Sequence, residues 1–182
     1  MSRSKKLIVT ALFLIGACIL LYPAVSNKLA ERHQAEMISR YEQTVEELPK
    51  TDMKSEWEKA VKYNESVTGM SVEDPFILGS GSVLPGNYKD VLNVEEKEGV
   101  MGYIEIPAID VMLPIYHGVS ERVLRRGVGH METTALPIGG KGTHSVLASH
   151  RGLSTAKLFT DLDRMKDCLL YTSPSPRDRT RS

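Results

Sequence analysis

The run from Leu7 to Val25 contains no charged residue, and only Thr10, Gly16, Tyr22 and Pro23 interrupt its apolar character. At about 19 residues it has the length of a bilayer-crossing helix, which takes roughly 17 to 25. Arg3, Lys5 and Lys6 precede it. The bias of positive charge toward the cytoplasm then puts residues 1–6 inside and everything after the span outside. A second reading stays open, a cleaved leader with Ala24-Val-Ser26 as the small-residue cleavage site. In both readings the remainder of the chain is exported. The run exceeds the roughly 7 to 15 residues of a leader's apolar core, which favours a retained, single-pass anchor over residues 7–25.

The rest of the chain must fold outside the membrane. Residues 26–68 are charged and helix-prone. Met37, Ile38, Tyr41, Val45 and Leu48 recur at helical spacing and leave one narrow apolar stripe. Pro49 ends that run, and Thr51 or Asp52 can cap a second helix with Trp57, Ala60 and Val61 on one face. The pattern predicts a helical hairpin between membrane and domain. A dimerising coiled coil is the alternative, with too few heptads to support it. Asn64-Glu-Ser66 formally matches a glycosylation acceptor, but that reading is set aside. Residues 69–99 change character. Gly69, Pro75, Gly79, Gly81, Pro85, Gly86 and Gly99 punctuate the segment and no period survives, which predicts a long loop.

Strands are expected from residue 100 onward. Tyr103-Ile-Glu-Ile106 alternates, Pro107 interrupts, and Val111 to Tyr116 resumes, with Pro114 marking an edge or bulge. Ser120 to Arg126 reads as a short capped helix and Ser145 to Ser149 as a strand. Ser154 or Thr155 can cap a last helix that turns Leu158, Phe159, Leu162 and Met165 to the core. Short strands with few helices predict a mostly β fold, a barrel that is incomplete over residues 100–167.

The equal totals of 23 basic and 23 acidic side chains leave no net charge, and no basic stripe suggests a nucleic-acid partner. Cys18 and Cys168 stand at opposite ends of the chain and define neither a disulfide framework nor a metal motif. Neither the histidines nor the carboxylates fall at metal-ligand spacing, and no cofactor is expected. His150 ends an apolar strand within Gly142-Thr-His-Ser-Val-Leu-Ala-Ser-His-Arg-Gly-Leu153, just before a glycine turn. The rim of a sheet is where reactive groups are displayed. On its own such a histidine is more often structural. His117, His130 and His144 each read as turn or hydrogen-bonding residues.

Four segments in order carry a resemblance. They are Gly102 to Gly118, Leu124-Arg-Arg-Gly-Val-Gly-His130, Leu136-Pro-Ile-Gly-Gly140, and Ala148-Ser-His-Arg-Gly152. Together they look like the opening half of a sortase domain, closest to the class C, pilus-building sortases of Gram-positive bacteria, over about residues 60 to 166. The resemblance implies a sortase-type β-barrel and cysteine transpeptidation. A thiolate attacks the carbonyl after Thr in a Leu-Pro-x-Thr-Gly-like sorting signal, and a pilin lysine amine resolves the thioacyl enzyme. Of the Cys, His and Arg that this chemistry uses, His150 alone is matched. Arg151 adjoins it and should leave a strand on the opposite face, so it is not a candidate for the arginine.

Glu73-Asp-Pro-Phe-Ile77 resembles the Asp-Pro-aromatic lid of class C sortases. For the lid Asp74-Pro75-Phe76, that implies Asp74 facing the catalytic arginine and Phe76 covering the cysteine. Taken from spacing alone, an Asp-Pro turn with Phe76 packed locally explains the segment equally well. Two rival functions remain. One is a sortase that attaches proteins to peptidoglycan, and the other a non-enzymatic, membrane-tethered extracellular β-domain.

The tail, residues 168–182, is a separate matter. Cys168-Leu-Leu-Tyr-Thr-Ser-Pro-Ser-Pro-Arg-Asp178 has no periodicity and resembles the in-frame translation of a transposase adapter used in sequencing libraries. The family's nucleophile sits in a Thr-Leu-x-Thr-Cys strand, a context Cys168 lacks. The expectation is therefore a chain that leaves the family sequence before the nucleophile, is inactive by itself and folds poorly.

Overall fold

The computed structural model describes residues 3–67, 88–94 and 99–165. Its first element, α1 (Arg3–Glu47), is one uninterrupted helix of 45 residues. The apolar span and the first arm of the expected hairpin are therefore one rod. Pro23 lies inside it without ending it. A proline costs a soluble helix about 3 kcal/mol, but it is tolerated in membrane helices, where neighbouring groups re-satisfy the freed carbonyl. The 18-residue apolar window of α1 has none of its surface buried by the rest of the protein.

Further along, α1 turns one face inward. Gln34, Met37, Ile38 and Tyr41 are buried, and Val45 packs beside Tyr41. The apolar stripe is as the spacing predicts, with Gln34 added at its upstream end. Leu48 and Pro49 break the helix, and α2 (Lys50–Val67) returns. It starts ahead of Thr51 and Asp52, which sit in its first turn and do not cap it. Asp52 still suits the positive end of the helix dipole there. The core-facing side of α2 is Ala60, Tyr63, Asn64 and Val67. The expected face is thus rotated, with Trp57 and Val61 half-buried at its margin.

The strands form one mixed sheet in the order β1-β2-β3-β4. They are β1 (Val100–Ile106), β2 (Val111–His117), β3 (Val128–His130) and β4 (Leu147–Ala148). β1 and β2 are antiparallel, joined through a 3-10 turn at Pro107–Ile109. Asp110 closes that turn with φ 52, a left-handed conformation that Asp tolerates. The irregularity in this pair falls between Val100 and Gly102, so the bulge is at Met101 and not at Pro114. Pro114 pairs with Tyr103 on one side, while β3 joins β2 only from Ile115 onward. The missing N–H of Pro114 therefore falls where β2 is still an edge. β3 is parallel to β2, and the crossover between them carries α3 (Glu121–Leu124). Ser120 stands at the N-cap position of α3, but its side chain makes no cap hydrogen bond.

The expected last helix is replaced by turns and one 3-10 turn, Leu162–Arg164. Leu158 takes φ 44, which no residue inside a right-handed helix can do. The Phe159 N–H donates to the His150 carbonyl at 3.2 Å, tying the segment to the turn after β4, and its local bonds are of the short i→i−3 kind, such as Leu162 N–H to the Phe159 carbonyl. Leu158 and Phe159 are buried as expected, whereas Leu162 is 42% exposed.

One core holds hairpin and sheet together. Ala60, Tyr63 and Val67 of α2 pack with Met101, Ile106, Leu113, Ile115 and Val128 of the sheet. Polar clamps add direction. Asn64 Nδ2 donates to the Leu136 carbonyl at 3.2 Å, and the Leu136 N–H donates to Asn64 Oδ1 at 2.6 Å. Gln34 Nε2 donates to the Arg126 carbonyl at 3.2 Å, and Tyr41 Oη to that of Met101 at 3.3 Å. Burial and these commitments agree with setting Asn64 aside as a glycosylation acceptor.

Candidate functional site

His150 follows β4 directly, and its backbone is held from both sides. Ser149 Oγ donates to the Gly127 carbonyl at 2.7 Å, fixing the residue before it to the start of β3. The residue after next, Gly152, adopts φ 75, and its N–H meets Thr160 Oγ1 at 3.2 Å. A side chain on Gly152 would be strained there, which explains the glycine after His-Arg.

The imidazole is 29% exposed, and its Nε2 lies 3.2 Å from Glu121 Oε2. Glu121 belongs to α3 and is itself steadied by Arg125, whose Nε donates to Oε1 at 2.7 Å. That hydrogen bond, first, and the neighbouring His150 charge hold the Glu121 carboxyl below the usual carboxylate range. The sequence reading missed Glu121. Residues 29 positions apart share no periodic signal, and only the β2–α3–β3 crossover brings them together. Arg151 goes elsewhere, pairing with Asp163 at 3.0 Å. It does not share the carboxylate that His150 meets.

A second group of rings lies in the interior. His130 is fully buried. Its Nδ1 is 2.9 Å from Tyr88 Oη, and its Nε2 is 2.9 Å from the Ala135 carbonyl. A carbonyl can only accept, so Nε2 carries the proton, and the Tyr88 hydroxyl, beside Nδ1, also donates to the His130 carbonyl at 3.1 Å. Desolvation dominates its protonation and pushes it from 6.5 down to about 4. Tyr88 also receives the Gly118 N–H at 3.0 Å, and burial raises its pKa well above the ordinary range. Tyr63 stands beside it, ring centroids 5.6 Å apart, and donates to the Glu132 carbonyl. Desolvation moves Tyr63 up to about 12. His117 meets the Tyr88 ring edge-on at 5.1 Å, and its nitrogens face the carbonyls of Gly99 at 3.2 Å and Val91 at 2.8 Å. Both histidines are hydrogen-bonding residues, as the sequence suggests, and Tyr88 is the hub that joins them. His144 lies at the surface.

Among the described residues, no three His, Cys, Asp or Glu side chains converge to hold a metal ion. What the described residues bring together at the sheet rim is an acid–base group with a carboxylate partner. An imidazole so placed can donate or take a proton at a reacting atom. Asp74, Pro75 and Phe76, expected to form a lid, and also Cys168 lie outside the described residues.

Comparison with known proteins assigns this architecture to a class. Residues 104–172 match the sortase domain family, and the mixed sheet behind its helical hairpin is a sortase-like fold. Among the solved structures that share it are class C sortases. Sortase C1 of Streptococcus agalactiae is 37% identical with a TM-score of 0.60, the match covering 72% of this chain and 65% of that one. Streptococcus pneumoniae sortase C gives 37% identity and a TM-score of 0.60, covering 72% and 63%. Sortase C-1 of the same species gives 36% and 0.60, covering 72% and 66%. The chain thus spans about 65% of the length of the first of these relatives. No curated protein matches it by sequence at a significant level. The matched range takes in Cys168 to Thr172, residues that the adapter reading of the tail would leave out.

Proposed function

We propose that this protein works as a membrane-anchored cysteine transpeptidase of the class C sortase type. It cleaves a Leu-Pro-x-Thr-Gly-like signal and joins pilin subunits through a lysine amine. One observation carries the reading: His150, in the matching Ala148-Ser-His-Arg-Gly152 segment, sits at the sheet rim with its ring held by Glu121. In the reaction a cysteine thiolate forms the thioacyl bond, and His150 supplies the proton that the departing glycine amine needs. An arginine steadies the developing oxyanion. The cysteine and arginine are expected from native sequence downstream of Lys166, so the chain as it stands should be inactive.

Within the sortases, Asp74, Pro75 and Phe76 support the pilus-assembly class over peptidoglycan attachment. In this reading they form the lid. The carboxylate neutralises the arginine while the ring keeps water from the thiol. The similar solved structures point the same way, since the S. pneumoniae structure is described as bearing on catalysis and pilin substrate specificity. Leu7 to Val25 serves as the retained anchor, with the N-terminus in the cytoplasm.

The test is cleavage of a Leu-Pro-x-Thr-Gly peptide by the protein with its genomic continuation after Lys166. His150→Ala should lower turnover by about 10²- to 10⁴-fold, the usual contribution of general acid–base catalysis. Undiminished turnover in that variant would remove the assignment. Turnover by the 182-residue chain itself, lost on Cys168→Ala, would make Cys168 the nucleophile.

A further inference from the structure

The long helix carries a ruler for the rest of the molecule. Leu7 to Val25, at about 1.5 Å per residue, spans about 28 Å, the thickness of a bilayer's hydrocarbon core. Ser26 is the next residue, and its Oγ donates to the Thr155 carbonyl at 3.2 Å. Thr155 belongs to the loop that follows His150. Higher on the same helix Gln34 holds the Arg126 carbonyl, about 12 Å above Ser26 along the axis. The next residue after Arg126, Gly127, is the one that Ser149 grips. Tyr41, which holds Met101, is about 22 Å above Ser26.

His150 is therefore bracketed in height. Its upstream neighbour is tied to the level of Gln34, and the loop downstream of it descends to the level of Ser26. Headgroups occupy about 5 to 7 Å beyond the hydrocarbon on each side, which is where Ser26 and the Thr155 carbonyl fall.

We propose that residues 151–155 are seated in the headgroup layer of the bilayer, so that His150 acts within about 10 Å of the lipid surface. This rests on reading Leu7 to Val25 as a retained anchor. Three features support it. The helix runs from span to domain without a break, so the domain cannot swing away on a linker. The apolar window is bare of protein along its length, leaving room for lipid. Arg151, Gly152 and Ser154 are exposed on the loop, and Lys28 and Arg32 on α1 just past the span; Arg151 and Lys28 are engaged by Asp163 and Glu31, and the Arg32 head can reach lipid phosphates. A site at this height fits a substrate that is itself held at the membrane surface.

The test uses the full chain in lipid nanodiscs of mixed neutral and anionic phospholipid, with Cys18 and Cys168 replaced by Ser. Single cysteines at Leu20, Ser154 and Thr51 carry a fluorophore, and nitroxide lipids quench it. Leu20 should be quenched by nitroxides on the acyl chains. Ser154 should be quenched by headgroup nitroxides several-fold more than Thr51, which lies in the first turn of α2 at the far end of the rod. Inserting a flexible Gly-Ser segment between Val25 and Ser26 should abolish that difference. Quenching at Ser154 no stronger than at Thr51, with Leu20 still in the acyl chains, would overturn the seating and leave the anchor standing. An unquenched Leu20 would overturn both.

Discussion

His130 and Tyr88 lie with ring centroids 5.8 Å apart, and the phenol reaches the imidazole Nδ1 at 2.9 Å. This buried pair joins β3 to the segment that leads into the sheet, and its burial favours neutral His130. The unfolded chain binds a proton at about 6.5, whereas folded His130 binds one only near 4. Between those values the unfolded state holds more protons, so stability falls as pH falls. The contribution is complete above about 6.5 and is lost as the pH approaches 4. At 1.36 kcal/mol per pH unit, it comes to about 3 kcal/mol. Denaturant unfolding at several pH values should show this slope, and His130→Gln should flatten it. An equal slope in the variant would place the acid sensitivity elsewhere.

The double bond between Asn64 and Leu136 should be expensive to lose. Asn64→Ala strips partners from a buried N–H and a buried carbonyl together, at about 2 to 4 kcal/mol for the pair. Asn64→Asp keeps the acceptor but turns a second oxygen on the Leu136 carbonyl, and should also destabilise the chain. Urea midpoints of the three proteins provide the measurement.

Gly129 is packed too closely for a side chain. A Cβ there would run into the Gly118 carbonyl and approach Leu124 Cδ2 to 3.2 Å. Both neighbours belong to the crossover that carries Glu121. Gly129→Ala should therefore cost about 1 to 3 kcal/mol, the range for overpacking, and lower the thermal midpoint. An unchanged midpoint would mean that the crossover can move aside.

Topology can be read from one exposed position on α2. A cysteine at Ser66, with Cys168 replaced by Ser, should react with an impermeant maleimide on intact cells. Labelling confined to lysed cells would reverse the orientation inferred from Arg3, Lys5 and Lys6.

In the full-length enzyme, Asp74→Ala with Phe76→Ala should raise the rate at which the catalytic thiol meets a peptide or thiol probe. A closed lid lowers the competent fraction, and apparent affinity falls with it. Unaltered thiol reactivity would return Glu73 to Ile77 to an ordinary Asp-Pro turn.

Much of the scaffold was legible because it is periodic. The stripe through Met37, Ile38 and Tyr41 and the alternation from Tyr103 to Ile106 both report a repeating environment. The last helix was misread for the same reason. Leu158, Phe159, Leu162 and Met165 have helical spacing, but the positive φ of Leu158 and the bond from Phe159 to His150 are decided by tertiary contacts. His150 was found through its motif, while Glu121 was invisible because nothing local links residues that far apart. Tyr88 could not be seen as a hub, since its partners arrive from β2, β3 and α2.

Because α1 runs from its apolar stretch into the domain without a joint, the border between the two falls in the middle of a helix. Anyone preparing a soluble version would be tempted to cut at a visible break, before Lys50 or before Val100. Either cut discards Met37, Ile38 and Tyr41, and the later one also discards Ala60, Tyr63 and Asn64, all of them buried. The later cut would leave the sheet facing water with its apolar side uncovered, and the earlier one would strip Tyr41 from Val100 and Tyr116. A cut between Val25 and Ser26 removes the apolar stretch and keeps every clamp from Ser26 to Tyr41, and it is the place where the two can be parted with the domain left whole.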